Sequence, residues 1–460
     1  MSRANGSVAD AQSIRSAMTS LSVSGFKSIV EERTLEIRPL TLLAGANSSG
    51  KSSMMQPLLL MKQTMDAQFD PGPLLLNGPN VKFTSVNQFW PAITPRKASD
   101  EFSVKIGITT GADIEFNYQW SKKNKRLQLT SNIYGFQSGR YPLTENTKLD
   151  EFIKFLDLEA GHHSVGQLKE YTKLFEMDVR RVGPFLEMGF LPGQDTRDSY
   201  PTDFASLTPF SPRNPRFGEI VQSITGAIHL PGLRGNPERV YPVASIGPRF
   251  RGTFESYAAS MVSSWAMDSP NNVDELSEDL KSLGLTWKVE ATPIDDTQVE
   301  LRVGRLPRPR QGGARDLVNI ADVGLGVSQT LPVVVALRAA QPGQLVYIEQ
   351  PEIHLHPRAQ VAMARLLVNA ANRGVRVVAE THSSLILLAV QTLVAEGVIE
   401  PSLVGLNWFL RDEKDGTTRI QTAELDEAGR FGDWPEDFDE VALEAESRYL
   451  SAAESRLSKG

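Results

Sequence analysis

The chain has 460 residues, so at roughly 150 residues per domain it is expected to fold as two or three lobes. A hydrophobic share of 40% excludes wholesale disorder, and no apolar run reaches the ~18 residues that a membrane span needs. Cysteine is absent, which removes disulfides, Cys-based zinc sites and Cys nucleophiles together. The net charge of −7 argues weakly against a general nucleic-acid binder, and the polar first residues carry no signal-peptide pattern, so a cytoplasmic protein is expected.

Residues 1–19 are small and polar and read as a mobile arm. From Leu21 onward apolar and polar residues alternate as in half-buried strands, and the run Leu40, Leu42, Leu43 reads as a buried strand. A helix pattern follows through Met54, Leu58, Met61 and Met65, and residues 102–133 read as a β meander with a basic turn, Lys122–Arg126. Residues 144 to about 190 favour helix, and 192–252 are rich in Pro, Gly and Arg and read mostly as loop. Helices are expected over 253–284 and a hairpin over 285–303. From about 328, helix and strand alternate, with strands at 344–349 and 375–380, which predicts a largely parallel sheet. The resulting division is an arm (1–19), a first lobe (20–140), a helical and loop-rich insertion (141–284), a second lobe (285–420) and an acidic extension (421–460).

Gly45-Ala46-Asn47-Ser48-Ser49-Gly50-Lys51-Ser52 matches G-x-x-x-x-G-K-[ST] between an apolar strand and a helix. A triphosphate concentrates negative charge, and a glycine-permitted loop of backbone N–H groups at a helix N-terminus meets it. Lys51 would reach the β/γ-phosphates and Ser52 would ligate Mg²⁺, with Asn47, Ser48, Ser49 and Ser53 completing the cradle. Far downstream, the apolar run Leu345–Ile348 ends in Glu349, at the strand edge where parallel sheets bind ligands and a carboxylate can hold Mg²⁺. A second strand ends in Glu380-Thr381-His382-Ser383, where His382 could touch a γ-phosphate. Three of the chain's six histidines lie in these two motifs; His354 and His356 are expected to shape the loop rather than hold a metal. Between the P-loop and these motifs, Asp322-Val323-Gly324-Leu325-Gly326-Val327-Ser328-Gln329 reads as a second helix N-terminus, with Ser328 as a natural N-cap.

With these pieces in place, the chain resembles the ABC-type ATPases of the SMC-, RecF- and OLD-like group. GANSSGKS is similar to their Walker A, DVGLGVSQ to their signature, IEQPEIHLHP to Walker B with its D-loop, and ETHS to their H-loop. LSVSGFKSI, LLLNGPNVKFTSV, IHLPGLRGNPERVYP and FGDWPEDFDE are similar to stretches of solitary bacterial ATPases that lack a long coiled coil and end in a small domain of unknown function. Such proteins often accompany phage-defence systems. The resemblance spans about residues 20–445 and implies an α/β fold: a P-loop NTPase head with an antiparallel β subdomain, a mostly helical insertion and a parallel-sheet lobe. It further implies an ATP- and Mg²⁺-dependent homodimer or higher oligomer, in which Gly326, Ser328 and Gln329 of one chain act on the γ-phosphate held by another.

One departure bears on turnover. The family pattern has a metal-binding Asp followed by a water-polarising Glu, and here those places hold Glu349 and Gln350. Glutamine cannot accept a proton, and general-base assistance is typically worth ~10²–10⁴-fold. Either Glu352 or His382 substitutes, or hydrolysis is slow; slow hydrolysis is the expectation. No nuclease-like acidic cluster follows the H-loop, so an effector is expected on a separate chain. The basic loop Arg302–Arg315 is a candidate DNA contact. Rival readings are a recombination-type DNA clamp and a nucleotide-stabilised scaffold with negligible turnover. Residues 424–446 hold ten acids against Arg430 alone, which leaves the rest of the chain at +2, so the acidity belongs to the tail.

Overall fold

The computed structural model describes residues 16–91, 100–136, 139–148, 151, 175–192, 215–247, 249–306, 316–432 and 447–448. In chain order the first lobe supplies β1 (Met18–Ser24), β2 (Arg33–Glu36), β3 (Leu40–Gly45), α1 (Lys51–Asp66), β4 (Glu101–Ile108), β5 (Asp113–Ser121), β6 (Arg126–Phe136) and β7 (Gly139–Leu143). Next come β8 (Phe175–Val182), β9 (Phe185–Pro192), α2 (Pro215–Thr225), β10 (Ile228–Leu230), β11 (Tyr241–Pro242), α3 (Ala258–Asp268) and α4 (Pro270–Ser282). The remainder is β12 (Val289–Asp295), β13 (Gln298–Gly304), β14 (Leu317–Asn319), α5 (Leu325–Ala339), β15 (Leu345–Glu349), α6 (Pro357–Asn372), β16 (Arg376–Glu380), α7 (Ser384–Ala395), β17 (Val404–Arg411) and β18 (Thr418–Ala423).

The central sheet has the order β10-β15-β16-β3-β17-β18, parallel except for the edge strand β18. The strand that ends in His382's motif therefore lies between the P-loop strand and the strand of Glu349. Side chains alternate between the two faces of a strand, and here both faces are covered. Leu40, Leu42, Ala44, Val346 and Ile348 join the core that contains α3 to α7, while Leu43, Leu345, Tyr347 and Val378 join the core of α1 and the antiparallel sheet. That second sheet, β2-β1-β4-β5-β6-β7, buries Leu21, Val23, Val104, Ile106, Ile114 and Phe116 on its inner face. The fold is thus an α/β P-loop NTPase head carrying an antiparallel β subdomain. Among the described residues, no helix is long and apolar enough to cross a membrane.

Several expectations are corrected. Met18 and Thr19, assigned to the arm, begin β1. Of the helix expected over 144 to about 190, residues 149–150 and 152–174 lie outside the described residues, and from Phe175 the chain forms instead the antiparallel hairpin β8–β9, joined by Gly183-Pro184 with Val182 opposite Phe185. Gly183 has φ 59, and a Gly-Pro pair turns a chain rather than extending a helix. Ser328 is not an N-cap: α5 starts at Leu325, capped by Gly324, so Ser328 lies inside its first turn and Pro332 in its interior. Neither β10, three residues long, nor β17, beside the P-loop strand, was anticipated. Residues 1–15, 307–315 and 433–446, which hold most of the arm, of the basic loop and of the acidic tail, lie outside the described residues.

The contact between β3 and β17 sets the position of the P-loop. Gly45 sits at φ 132 opposite Phe409, and a Cβ there would lie 2.2 Å from the Phe409 carbonyl oxygen. Backbone strain of about 1–3 kcal/mol and overpacking of similar size then act together. Gly45→Ala is expected to destabilise the protein by about 2–4 kcal/mol, read from the shift of the urea midpoint at unchanged m-value.

Candidate functional site

The P-loop leaves β3 and turns back into α1. Gly45, Ser48 (φ 62) and Gly50 (φ 107) adopt left-handed backbone, and Gly50 also lies against Thr418, whose Oγ1 would be 2.2 Å from an added Cβ. Thr418 fastens the loop from below, with its hydroxyl within hydrogen-bond reach of Ser49 O and Ser28 Oγ at 2.8 Å each. Arg411 donates to Ser48 O at 3.1 Å. The tip residues Asn47 and Ser48 are exposed, while Ser49, Gly50 and Lys51 are buried. Lys51 Nζ donates to Gly45 O (2.9 Å) and Ala46 O (2.8 Å), so its cation curls under the loop. Burial lowers its pKa, against the opposing attraction of Glu380 and Glu352.

Above this loop opens a cleft of about 370 Å³, lined by Ser48, Ser49, Lys51, Ser52, Ser53 and Glu380 among others, with Lys27, Gln88, Trp90 and Arg411 around it. Ser49 Oγ is buried there without a hydrogen-bond partner. A backbone cradle at a helix N-terminus, an unsatisfied hydroxyl and a buried ammonium are together complementary to a phosphate chain. Among the described residues, no group of three or more His, Cys, Asp or Glu side chains forms a metal site unaided. A magnesium ion would instead take phosphate oxygens together with Ser52 and one or two carboxylates, its ordinary manner of binding in such sites.

The sheet brings Glu349 and Glu380 side by side, since they pair in register at the ends of β15 and β16. Their partners differ. Glu380 is 5% exposed and receives hydrogen bonds from Ser52 Oγ (3.0 and 3.2 Å) and from Tyr347 Oη (3.0 Å). Burial raises its pKa, Lys51 opposes that, and Glu349 adds to it. Glu349 instead faces His229, 3.1 Å from Oε1, and the Gly232 N–H, 3.1 Å from Oε2. Burial would raise its pKa, but the His229 hydrogen bond, the Gly232 N–H and Arg234 outweigh burial and hold it below the usual value.

Gln350 follows at φ 48, a left-handed conformation that costs a non-glycine residue roughly 1–2 kcal/mol, and its N–H donates to Glu380 O at 2.7 Å. Glu352 lies deeper in the same turn. Its Oε1 accepts the His382 N–H at 2.7 Å, and its Oε2 is buried without a partner. His382 is half-buried beside the P-loop; burial and Lys51 lower its pKa, against a hydrogen bond to the Gly45 backbone. Lys51, Ser52, Glu349, Glu352 and His382 are thus gathered at one sheet edge. His356 caps α6, accepting from the Arg358 N–H at 3.3 Å, and His354 is exposed at φ 65.

The second helix N-terminus is arranged differently from its expectation. Gly324 and Leu325 are exposed at the start of α5 and Gly326 is half-buried, while Ser328 donates to Leu325 O and Gln329 Nε2 donates inward to Gly235 O. Arg234, in the Pro-, Gly- and Arg-rich stretch, is buried and bonds both Gln329 O (3.3 Å) and Glu349 O (2.9 Å). Its pKa falls to about 10, chiefly through burial. Glu380, His229 and Tyr347 were not anticipated as site residues. Glu380 carried a readable signal, because it ends a buried strand just as Glu349 does.

A protein-family profile described as "AAA domain, putative AbiEii toxin, Type IV TA system" matches residues 301–389, which contain α5, Glu349 and the His382 motif. No curated protein matches the chain by sequence. Among solved structures, the chain is similar to an SMC head bound to the C-winged helix domain of ScpA, at 11% identity and TM-score 0.46, covering 90% of this chain and 99% of that one. It is also similar to the SMC head domain of Thermotoga maritima, at 10% identity and TM-score 0.39, covering 89% and 99%. A Pyrococcus furiosus Smc head with an extended coiled coil, bound to the C-terminal domain of ScpA, gives 10%, 0.45, 89% and 97%. The fold assignment rests on this chain's own sheet order and phosphate loop.

Glu352 offers a test of the site's electrostatics. Burial places its folded pKa above the unfolded one. The cost of ionising it is therefore absent below the unfolded pKa and fully present above the folded pKa. Glu352→Gln, which keeps an acceptor for the His382 N–H, is expected to raise the denaturation midpoint at pH 8. That gain should vanish as pH falls toward 4.5; a gain independent of pH would contradict the assignment.

Proposed function

We propose that the chain is a Mg²⁺-dependent ATPase of slow turnover, whose ATP-bound heads close on one another and thereby hold or release a separate effector chain. The observation that carries this reading is the cleft itself. Lys51 and Ser52 open α1 beneath a loop of backbone donors, facing Glu380 and beside Glu349 at the carboxyl edge of the parallel sheet.

Closure in trans follows from what one chain leaves open. The start of α5 presents exposed backbone at Gly324 and Leu325; the Val327 N–H already bonds Gly324 O, which leaves the N–H groups of Leu325 and Gly326, at the positive end of the helix, to meet an anion. A phosphate held by another copy supplies that anion. Ser328 and Gln329 act from inside, holding the turn so that Gly326 and its neighbours meet the partner's nucleotide. Slow turnover follows from Gln350, which cannot take a proton from water. The profile that matches residues 301–389 is described as a putative toxin of a toxin–antitoxin system; on our reading the ATP-gated head controls a separate effector, as in antiphage defence.

Light scattering with and without ATP tests closure directly. Wild type is expected to gain mass on adding Mg·ATP, and Lys51→Ala is expected to bind no nucleotide and show no gain. Gln350→Glu should raise steady-state phosphate release at least about tenfold, toward the ~10²–10⁴ that a general base contributes. Equal rates in wild type and Gln350→Glu would sink the slow-turnover reading.

A further inference from the structure

A serine hydroxyl has one proton to give, and at Ser52 that proton goes to Glu380. Both Glu380 oxygens lie within reach, at 3.2 and 3.0 Å, and Tyr347 Oη donates to the same carboxylate at 3.0 Å. With the proton held there, the lone pairs of Ser52 Oγ are left for a cation. We propose that Glu380, rather than Glu349, is the positioning residue that turns Ser52 toward the divalent cation of a bound nucleotide. This rests on the ATP reading above and assigns the metal side of that same site.

Glu349 is the obvious rival, and its surroundings argue against it. His229 is 1% exposed, and its two ring nitrogens have separate partners. Asn80 Nδ2 lies 3.1 Å from Nδ1 and 3.1 Å from Gly252 O, so the amide spends one hydrogen on each. Nδ1 then accepts, and the proton sits on Nε2, which donates to Glu349 Oε1. Gly232 N–H takes Oε2. The ring stacks on Tyr347 with centroids 5.4 Å apart, which fixes its plane. Both Glu349 oxygens are thus directed toward β10 and the loop after it. Tyr347 serves both carboxylates, stacking beneath His229 and donating to Glu380. An independent sign of a ligand on the Glu380 side is Ser49 Oγ, in a residue 2% exposed, lining the same cleft without a partner.

Partners that orient a ligand to a metal typically matter about 10–100-fold in metal affinity. The experiment uses the full chain, a fluorescent ATP analogue titrated in EDTA and in Mg²⁺, and Mn²⁺ binding in the presence of ADP followed by electron paramagnetic resonance. Glu380→Gln is expected to keep or tighten nucleotide binding in EDTA, because it removes a carboxylate facing the phosphates, while lowering Mn²⁺ affinity about 10–100-fold. Glu380→Asp should recover part of that loss, and Tyr347→Phe, which keeps the charge, should lose less. Unchanged or tighter Mn²⁺ binding by Glu380→Gln, with nucleotide binding intact, would overturn this inference alone. A larger loss in Glu349→Gln than in Glu380→Gln would return the role to Glu349. Wild type that bound no nucleotide in either buffer would overturn the ATP reading together with this one.

Discussion

Two carboxylates on adjacent parallel strands are the constraint around which this protein is arranged. Glu349 and Glu380 pair in register, on strands that lie roughly 4.8 Å apart. Two charges at that spacing repel by on the order of a few kcal/mol even when partly screened. The chain resolves the conflict by giving each its own donors, on opposite sides. Ser52 and Tyr347 serve Glu380, while His229 and Gly232 serve Glu349. The three-residue strand β10 exists at the sheet edge for a physical reason: it pairs His229 with Tyr347 and so delivers an imidazole to the exposed side of Glu349.

The same donors tie the phosphate cleft to the distant start of α5. The loop after β10 gives Gly232 to Glu349 and then Arg234, which grips Glu349 O and Gln329 O together. Gln329 returns a hydrogen bond to Gly235. These bonds join the Glu349 strand end to the start of α5, the helix that a second copy would meet in the proposed closure, through one short loop. Arg234 suits this role because a planar guanidinium can bond two carbonyls at once, and burial leaves it no competing water. Leu233, beside it, is 91% exposed, so the loop has a buried anchor and a solvent-facing flank.

Legibility in the sequence follows the range of the interaction. The P-loop is local: its glycines are demanded by φ values and close contacts within a few residues, and the strand and helix around it were readable from periodicity. Helix α6 and strands β15 and β16 were readable for the same reason. The Gly183-Pro184 hairpin was legible in principle, but its strands were absorbed into a helix reading because the flanking apolar residues suit either period. His229 was not legible, since its partners lie 149 and 120 positions away at Asn80 and Glu349 and no spacing rule reaches that far. Ser328 looked like a cap from its neighbours alone. Tertiary packing moved the helix start back to Leu325, because Gly324 could take the extended backbone of a cap (φ −64, ψ 156) and Gln329 was drawn inward.

The electrostatic shifts around the cleft share one direction. Lys51 and His382 are pushed toward losing their protons, and Glu380 and Glu352 toward keeping theirs, each with burial as the leading cause. Burial therefore pulls these four groups toward their neutral forms, whereas Glu349, with its dedicated donors, is shifted toward its charged form. A polyanion paired with a divalent cation reverses that tendency group by group. The phosphates favour the charged forms of Lys51 and His382, and the cation favours the charged form of Glu380. Such a ligand gains twice, from its own contacts and from restoring charge to groups that burial had disfavoured. Neither the metal nor the phosphate chain alone achieves this, because each restores one sign of charge and penalises the other. On the proposed reading the pair would bind as a unit for that reason, with Ser52 where the two would meet.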